Sequence, residues 1–426
     1  MPKYNVMDTI SDKDYREQLS KALENYINKY YDKVTEDNAQ QVILDFNNEW
    51  EKQTAFICDY AHLWYTNKEQ ELTPFLSKYG LSLVILSAAY YHSSMIKDND
   101  LISLQSLILE YESNNQLYKI DTLRTLYLHL GLCWHKLGVI YDNNAINAFK
   151  KYIYYYYITL TGNHKNYLLT AYSFRECNKH LYQTLINEEL SLSSPITFND
   201  PFDCPIIELL NNKDTIPPLM RKAYMDCLKI RCFTSNVKMP FPKDSNDLQN
   251  IVKNAEKHNE DNDEFLNGLM WAHYADYHKG ICIKYTFSPE IIEQIRNQNG
   301  VVAFFKDVKY SNEDMEQYSQ KDIIGLEDAF FLKGKEWEYE NELRFLYYDV
   351  KGNGEHCAID IPNCIEAIYF GLKCSMYDRD AIINLMKNKK VVIKDIYGNT
   401  KVNPVKFYQM VINEKHFGQL KAIEIK

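Results

Sequence analysis

Lys333–Arg344 reads KGKEWEYENELR, and how these residues are arranged decides what the second half of the chain builds. Read as a strand, the segment splits into two faces, because side chains alternate with a period of two. Trp337, Tyr339, Leu343, Phe345 and Tyr347 share one face, interrupted by Asn341, with Trp337 as the packed anchor. Glu336, Glu338, Glu340, Glu342 and Arg344 share the other. Crowded carboxylates repel, which raises the pKa of at least one of them. That is one route to a functional acid, base or cation stabiliser. Two readings stand. Glu338 to Arg344 is a solvated strand face, cross-paired with lysines such as Lys333 and Lys335 at little energetic value. Or Glu340 or Glu342 carries charge for a reaction, and Arg344 orients it or binds phosphate.

Around this segment, short β-like runs alternate irregularly with helices. They are Ala171–Phe174, Ile230–Thr234, Gly280–Phe287, Val301–Tyr310, Leu343–Tyr348, Ile365–Phe370 and Val391–Tyr397. Several follow one another with no helix between, which predicts an α+β domain with a mixed or antiparallel sheet over 168–426. Residues 238–263 are polar and charged and read as a surface insertion or lid. Residues 1–165 read as helices throughout, with Gly and Pro scarce and apolar residues at helical spacing. Thr161-Gly162-Asn163 marks the boundary. Within the helical part, Leu126, Leu130, Trp134, Leu137 and Gly138 form one helix. Asp142–Asn144 turn, and Ala145, Ile146, Phe149, Ile153 and Tyr154 form a second. This pair resembles a tetratricopeptide-type hairpin, though any antiparallel helix pair reads the same way. A helical module ahead of a second domain predicts partner binding or regulation.

The chain has 426 residues and a net charge of -10, which gives no overall basic footprint for nucleic acid. A local basic groove is compatible with that sum. None of the ten cysteines pairs at the two-residue gap of a zinc knuckle, so no metal is expected. The first residues lack the charged and apolar regions of a signal peptide, and the longest apolar run is too short to span a bilayer. A cytoplasmic protein with reduced thiols and no membrane partner is the expectation.

Two further motifs carry candidate chemistry. In SSPITFNDPFDCP, Ser193–Pro205, Asp200 can cap a helix that starts at Pro201. Asn199, Asp200 and Asp203 could instead hold a ligand's hydroxyls or a metal. In MWAHYADYHKGICIKY, Met270–Tyr285, Trp271, Tyr274, Ala275 and His278 fall on one helical face, and Gly280 stops the helix. His278 can complement the helix dipole. Trp271 and Tyr274 are either core or a shelf that stacks a planar ring. His273 and His278 are not spaced four apart as zinc ligands on a helix would be.

Taken in order, YSFR at Tyr172–Arg175, FNDPFD at Phe198–Asp203, CFTS at Cys232–Ser235, the Met270–Tyr285 motif, the Lys333–Arg344 segment and IEAIYFG at Ile365–Gly371 resemble one bacterial family. It is the domain of unknown function 2971, and the resemblance covers roughly residues 168–412. The layout is remotely similar to the ADP-ribosyltransferase fold, which includes toxins and anti-phage defence proteins. That similarity implies NAD as the cofactor. Arg175 would sit on the pyrophosphate, Tyr274 and Trp271 beside the nicotinamide with His278 near them, and Glu340 or Glu342 at the sugar cation. Ser235 and Tyr285 compete with Tyr274 for the middle role. Asn199, Asp200, Asp203 and Arg344 join as ligand-binding residues. The activity implied is ADP-ribose transfer to a macromolecular acceptor, or NAD hydrolysis, with a protein partner on the N-terminal helices. Two other classes stay open: a non-catalytic ligand- or partner-binding module, and a metal-dependent nuclease using Asp200, Asp203 and the glutamates.

Overall fold

The computed structural model describes residues 12–48, 69–113, 120–161, 169–198, 203, 217–235, 267–312, 330–352, 354–394, 399–415 and 419–425. Asn199, Asp200, Gly162, Asn163 and the segment 238–263 lie outside the described residues. The chain divides into two compact units, Met1–Thr159 with Pro217–Ala223, and Leu160–Ile216 with Tyr224–Lys426.

The first unit is helical. Its described helices are α1 (Asp12–Tyr30), α2 (39–48), α3 (Glu69–His92), α4 (Asp98–Ser113), α5 (Ile120–Leu137) and α6 (Asp142–Thr161). Leu126, Leu130 and Trp134 of α5 are buried, as their spacing of four requires. Gly131 lets α6 approach, since a Cβ there would stand 2.5 Å from the Phe149 ring. The turn between these helices falls earlier than expected. Gly138 takes φ 110 and Val139–Tyr141 form a single 3-10 turn. Asp142–Asn144 are therefore the first turn of α6, because a glycine at positive φ has already ended α5. Among the described residues no helix is long and apolar enough to cross a membrane.

The second unit is α+β. Its main sheet runs β14 (Leu420–Glu424), β13, β10, β4, β1, β3, β2, β9 (His356–Asp360), with β8 beside β3 and β5 beside β8. The strands that matter are β1 (Leu169–Arg175), β2 (Glu189–Ser193), β3 (Leu228–Thr234), β4 (Ile281–Phe287), β5 (Val301–Asp307), β8 (Glu342–Asp349) and β10 (Ile365–Phe370). β13 (Lys406–Ile412) runs parallel to β10; the other pairings in this sheet are antiparallel. β1 pairs along its whole length with β4, from Leu169↔Phe287 to Arg175↔Ile281. β3 pairs likewise with β8, from Leu228↔Tyr348 to Thr234↔Glu342. Between β1 and β3 the register holds only at Tyr172↔Thr234, and between β2 and β3 only at Ser193↔Ile230. The sheet is therefore split down its middle. One core under it gathers Leu169, Ala171, Phe233, Tyr285, Phe287 and Phe345; the other gathers Tyr172, Phe174, Met270, Trp271 and Tyr369.

Two expectations are corrected here. Lys333–Arg344 is not one strand. Gly334 leads into a 3-10 helix at Lys335–Glu340, Asn341 takes φ 45, and β8 starts at Glu342. The helix that begins at Gly268 ends at Tyr274 and does not reach His278. Asp276, Tyr277 and His278 all take positive φ, and the His278 N–H turns back to the Trp271 carbonyl at 3.1 Å.

Candidate functional site

A cavity of about 810 Å³ opens where β1 and β3 part. That volume suits a small-molecule ligand. Ser173 and Arg175 come from β1, Ser191 and Ser193 from β2, and Arg231 from β3. Lys333, Trp337, Glu340 and Glu342 come from the opening segment, with Tyr274 and Asp203 beside them.

The 3-10 helix explains how one short segment delivers both a ring and a carboxylate. Side chains three apart eclipse in that geometry, so Trp337 and Glu340 reach the same cavity wall. The left-handed Asn341 then reverses the chain's local direction. Its carbonyl accepts the Ser235 N–H at 2.9 Å, and the Glu342 N–H donates to the Tyr310 hydroxyl at 2.7 Å. Both bonds pin the kink to the neighbouring strands.

Glu340 is 3 % exposed. Its Oε1 accepts from the Tyr274 hydroxyl at 2.5 Å, and its Oε2 from Lys333 Nζ at 2.6 Å. Burial pushes its carboxyl above the ordinary range, and the nearby Glu342 charge adds to that, against the bonds from Lys333 and Tyr274. Glu342 behaves in the opposite way. Burial is the largest single influence and would raise it too, but Arg344, Lys333 and Cys232 together outweigh burial and hold it well below the usual range. Arg344 Nε donates to Glu342 at 2.7 Å, another guanidinium nitrogen pairs with Asp203, and a third donates to the Phe330 carbonyl at 2.7 Å. Lys333 also reaches Glu342 at 3.2 Å and Asp203 at 3.3 Å. Burial would depress this ammonium, but Glu342 and Asp203 reverse the shift and raise it. Its Nζ sits 5.0 Å from the Trp337 ring centroid, a cation–π distance.

The other end of the cavity carries Arg175 and Arg231. The Arg231 guanidinium donates to the Ser173 hydroxyl at 2.5 Å, while its buried Nε has no hydrogen-bond partner. Burial lowers Arg231 to about 10, and the Arg175 charge adds to the effect. Among the described residues no carboxylate pairs with either arginine. The cavity is thus polarised. Three carboxylates face two cations at one end, and two guanidinium groups face none at the other.

The structure brings Arg175, Tyr274, Glu340, Glu342 and Asp203 to one cavity, with Arg344 directly behind. Two expected members are elsewhere. Trp271 is 0 % exposed and packs edge-on against Phe174 at 5.2 Å. It is core, because the short helix turns that face inward. His278 does not line the cavity, and its Nδ1 is buried without a partner. Tyr285 is also fully buried. The solvated-face reading of the glutamates fails at Glu340 and Glu342, and Arg344 is 0 % exposed. Trp337 lies at the cavity instead of the packed face. Among the described residues no group of three His, Cys, Asp or Glu side chains could hold a metal ion. Sequence reasoning missed Arg231. Its signal was a lone arginine inside the otherwise sheet-like LKIRCFT run, where a charge needs a reason to be half-buried.

No curated protein and no solved structure matches the chain. Residues 270–345, which carry Tyr274, Lys333, Glu340, Glu342 and Arg344 but not Arg175, Asp203 or Arg231, match the model of the family described as Protein of unknown function (DUF2971).

Proposed function

We propose that the α+β unit takes NAD as substrate and cleaves its bond between nicotinamide and ribose, in the manner of an ADP-ribosyltransferase or NAD glycohydrolase. The polarised cavity is the observation that carries this reading. NAD has a cationic ring at one end and a pyrophosphate in the middle. Arg175 and Arg231, free of carboxylate partners among the described residues, suit the pyrophosphate. The orphaned Arg231 Nε is a donor awaiting an acceptor. At the other end the excess carboxylate, with the Trp337 and Tyr274 rings, suits the cationic ring.

Glu340 is the acting carboxylate in this reading. Positive charge develops on the ribosyl carbon as nicotinamide leaves, and a preorganised carboxylate beside it lowers the barrier. Tyr274 and Lys333 fix the direction of the Glu340 oxygens. Glu342 is the structural partner, since Arg344 and Lys333 already claim it. ADP-ribose then passes to water or to a macromolecular acceptor. The helical unit, with its tetratricopeptide-like pair, would bind the partner that delivers it.

The test is chromatographic. Purified full-length protein should release nicotinamide from NAD. Glu340→Gln should lower the rate by about 100-fold or more while the protein remains folded. Release at the same rate in Glu340→Gln would falsify the assignment. A second reading is favoured by one observation: both Glu340 oxygens are already hydrogen-bonded, as in a site that binds without turnover. A rise in thermal midpoint with NAD and no nicotinamide release would select it.

A further inference from the structure

Outside the cavity, the structure brings two thiols together. Cys177 lies just beyond the end of β1 at Arg175, and Cys374 just beyond the end of β10 at Phe370. The backbone folds these two exits against one loop. The Lys373 N–H donates to the His278 carbonyl at 2.9 Å, and the Gly371 N–H to the Gly280 carbonyl at 2.9 Å. The Cys177 sulfur stands 4.0 Å from the carbonyl oxygen of Lys279, between them. The helices that follow the cysteines, Lys179–Asn187 and Met376–Met386, are joined by the Tyr182 hydroxyl donating to Asp378 at 3.1 Å. Both thiols pack on the same core cluster, both are half-buried, and both are free.

The two thiols lie close enough to act on each other's acidity. The neighbouring Cys177 thiol is the main cause that holds the Cys374 thiol below its ordinary value, and Cys374 in turn raises Cys177. Cys374 also precedes Ser375, the N-cap of the following helix, where the helix dipole favours a thiolate. An acidic, half-exposed thiol beside a second thiol is the arrangement in which oxidation ends as a disulfide.

We propose that Cys177 and Cys374 form an intramolecular disulfide when the protein meets hydrogen peroxide, and that this bond fastens the Arg175 end of the cavity to the exit of β10. The Cys374 thiolate attacks one peroxide oxygen, the O–O bond breaks, and the other oxygen leaves as hydroxide and takes up a proton. Cys374 is then a sulfenic acid. The Cys177 sulfur attacks the Cys374 sulfur, the S–O bond breaks, and the Cys177 proton departs with that hydroxyl as water. The two thiols together lose two electrons, which reduce the peroxide to two waters. The corner has little slack to absorb the bond. A Cβ placed on Gly280 would stand 2.1 Å from the Arg175 carbonyl oxygen, so the end of β1 feels any tightening there.

The test uses the full chain treated with a slight excess of hydrogen peroxide. Intact mass should fall by about 2 Da, two hydrogens, and peptide mapping should join Cys177 to Cys374. Cys374→Ser and Cys177→Ser should each abolish the cross-link. In Cys177→Ser, a sulfenic acid trap should label Cys374; in Cys374→Ser, Cys177 should stay unlabelled. Amide exchange at the end of β1 should slow in the oxidised protein and recover with dithiothreitol. A cross-link between other cysteines, an unchanged mass, or equal trapping of both thiols would overturn the disulfide. Exchange at β1 that is the same before and after oxidation would overturn the tie to the cavity.

Discussion

Glu340 and Glu342 are separated by one residue, yet Asn341 in its left-handed conformation sends them to different partners. Lys333 is the ammonium they share. Lys333→Met would leave buried carboxylates uncompensated, and we expect a loss of about 3–5 kcal/mol in denaturant unfolding, the usual result of removing one member of a buried ion pair. Arg231 makes a separate prediction. Arg231→Ala should weaken ADP binding about tenfold or more by calorimetry, through loss of a charge-assisted contact, and should barely alter the thermal midpoint. Unchanged ADP affinity would remove this arginine from the site. At this scale the sequence was partly legible. Tyr274, Asp203 and the two glutamates could be picked out by residue type, and Arg175 through the ordered motifs that carry the family resemblance. Trp271 and His278 could not be judged, because their roles depend on where a short helix stops. Arg231 was overlooked because a strand's charged residue declares itself only when its neighbours' faces are known.

Alternation suggested one strand through Lys333–Arg344, and the chain instead forms a 3-10 helix, a kink and then a strand. Alternating aromatic and acidic residues fit a period of two, but Gly334 and Asn341 bracket the first half, and short polar runs between such residues readily close into 3-10 turns. The later strands were easier. β4, β8 and β10 are rich in aliphatic and aromatic residues despite Lys284, Arg344 and Glu366 among them, because they are mostly buried on both faces. β2 and β9 (His356–Asp360) lacked that signal, being short and polar. Where elements meet closely, glycine is required. Gly280 opens onto β4 with the Arg175 carbonyl 2.1 Å from where a Cβ would be. Gly280→Ala should therefore cost about 1–3 kcal/mol, as overpacking does; a melting temperature equal to that of the parent would show that the β1–β4 corner can yield.

Over the whole molecule, the buried charges set how stability varies with acidity. The folded-state carboxyl of Glu342 lies below its unfolded value because, against burial, Arg344, Lys333 and Cys232 together prevail. Its contribution is present above the ordinary carboxylate range and is lost as pH falls below it. Glu340 has the opposite sign. Its raised value favours the protonated form, so its contribution is present at acid pH and lost as pH rises. Glu342→Gln should be less stable than the parent near about pH 7, and the difference should shrink toward about pH 3, measured by denaturant midpoints. A gap that stays constant across that range would mean that Glu342 titrates alike in the folded and unfolded chain. The α+β class was readable at this scale from the absence of regular strand–helix alternation. The split of the sheet was not, since it depends on registers between strands far apart in sequence.

That split has a mechanical meaning. β1 is bound to β4 along its length, and β3 to β8 along its length, so each pair moves as a stiff plate. The plates are joined in register at Tyr172↔Thr234. One rung between two plates is a pivot, and turning about it breaks no ladder. The gap between Arg175 and Glu340 is then an adjustable span, set between a bound molecule and the core that Phe233, Tyr285 and Phe287 share beneath both plates. Slower amide exchange on both sides of the rung when ligand binds, with β4 and β8 unchanged, is the expected signature; uniform slowing across all four strands would mean that the plates are fused.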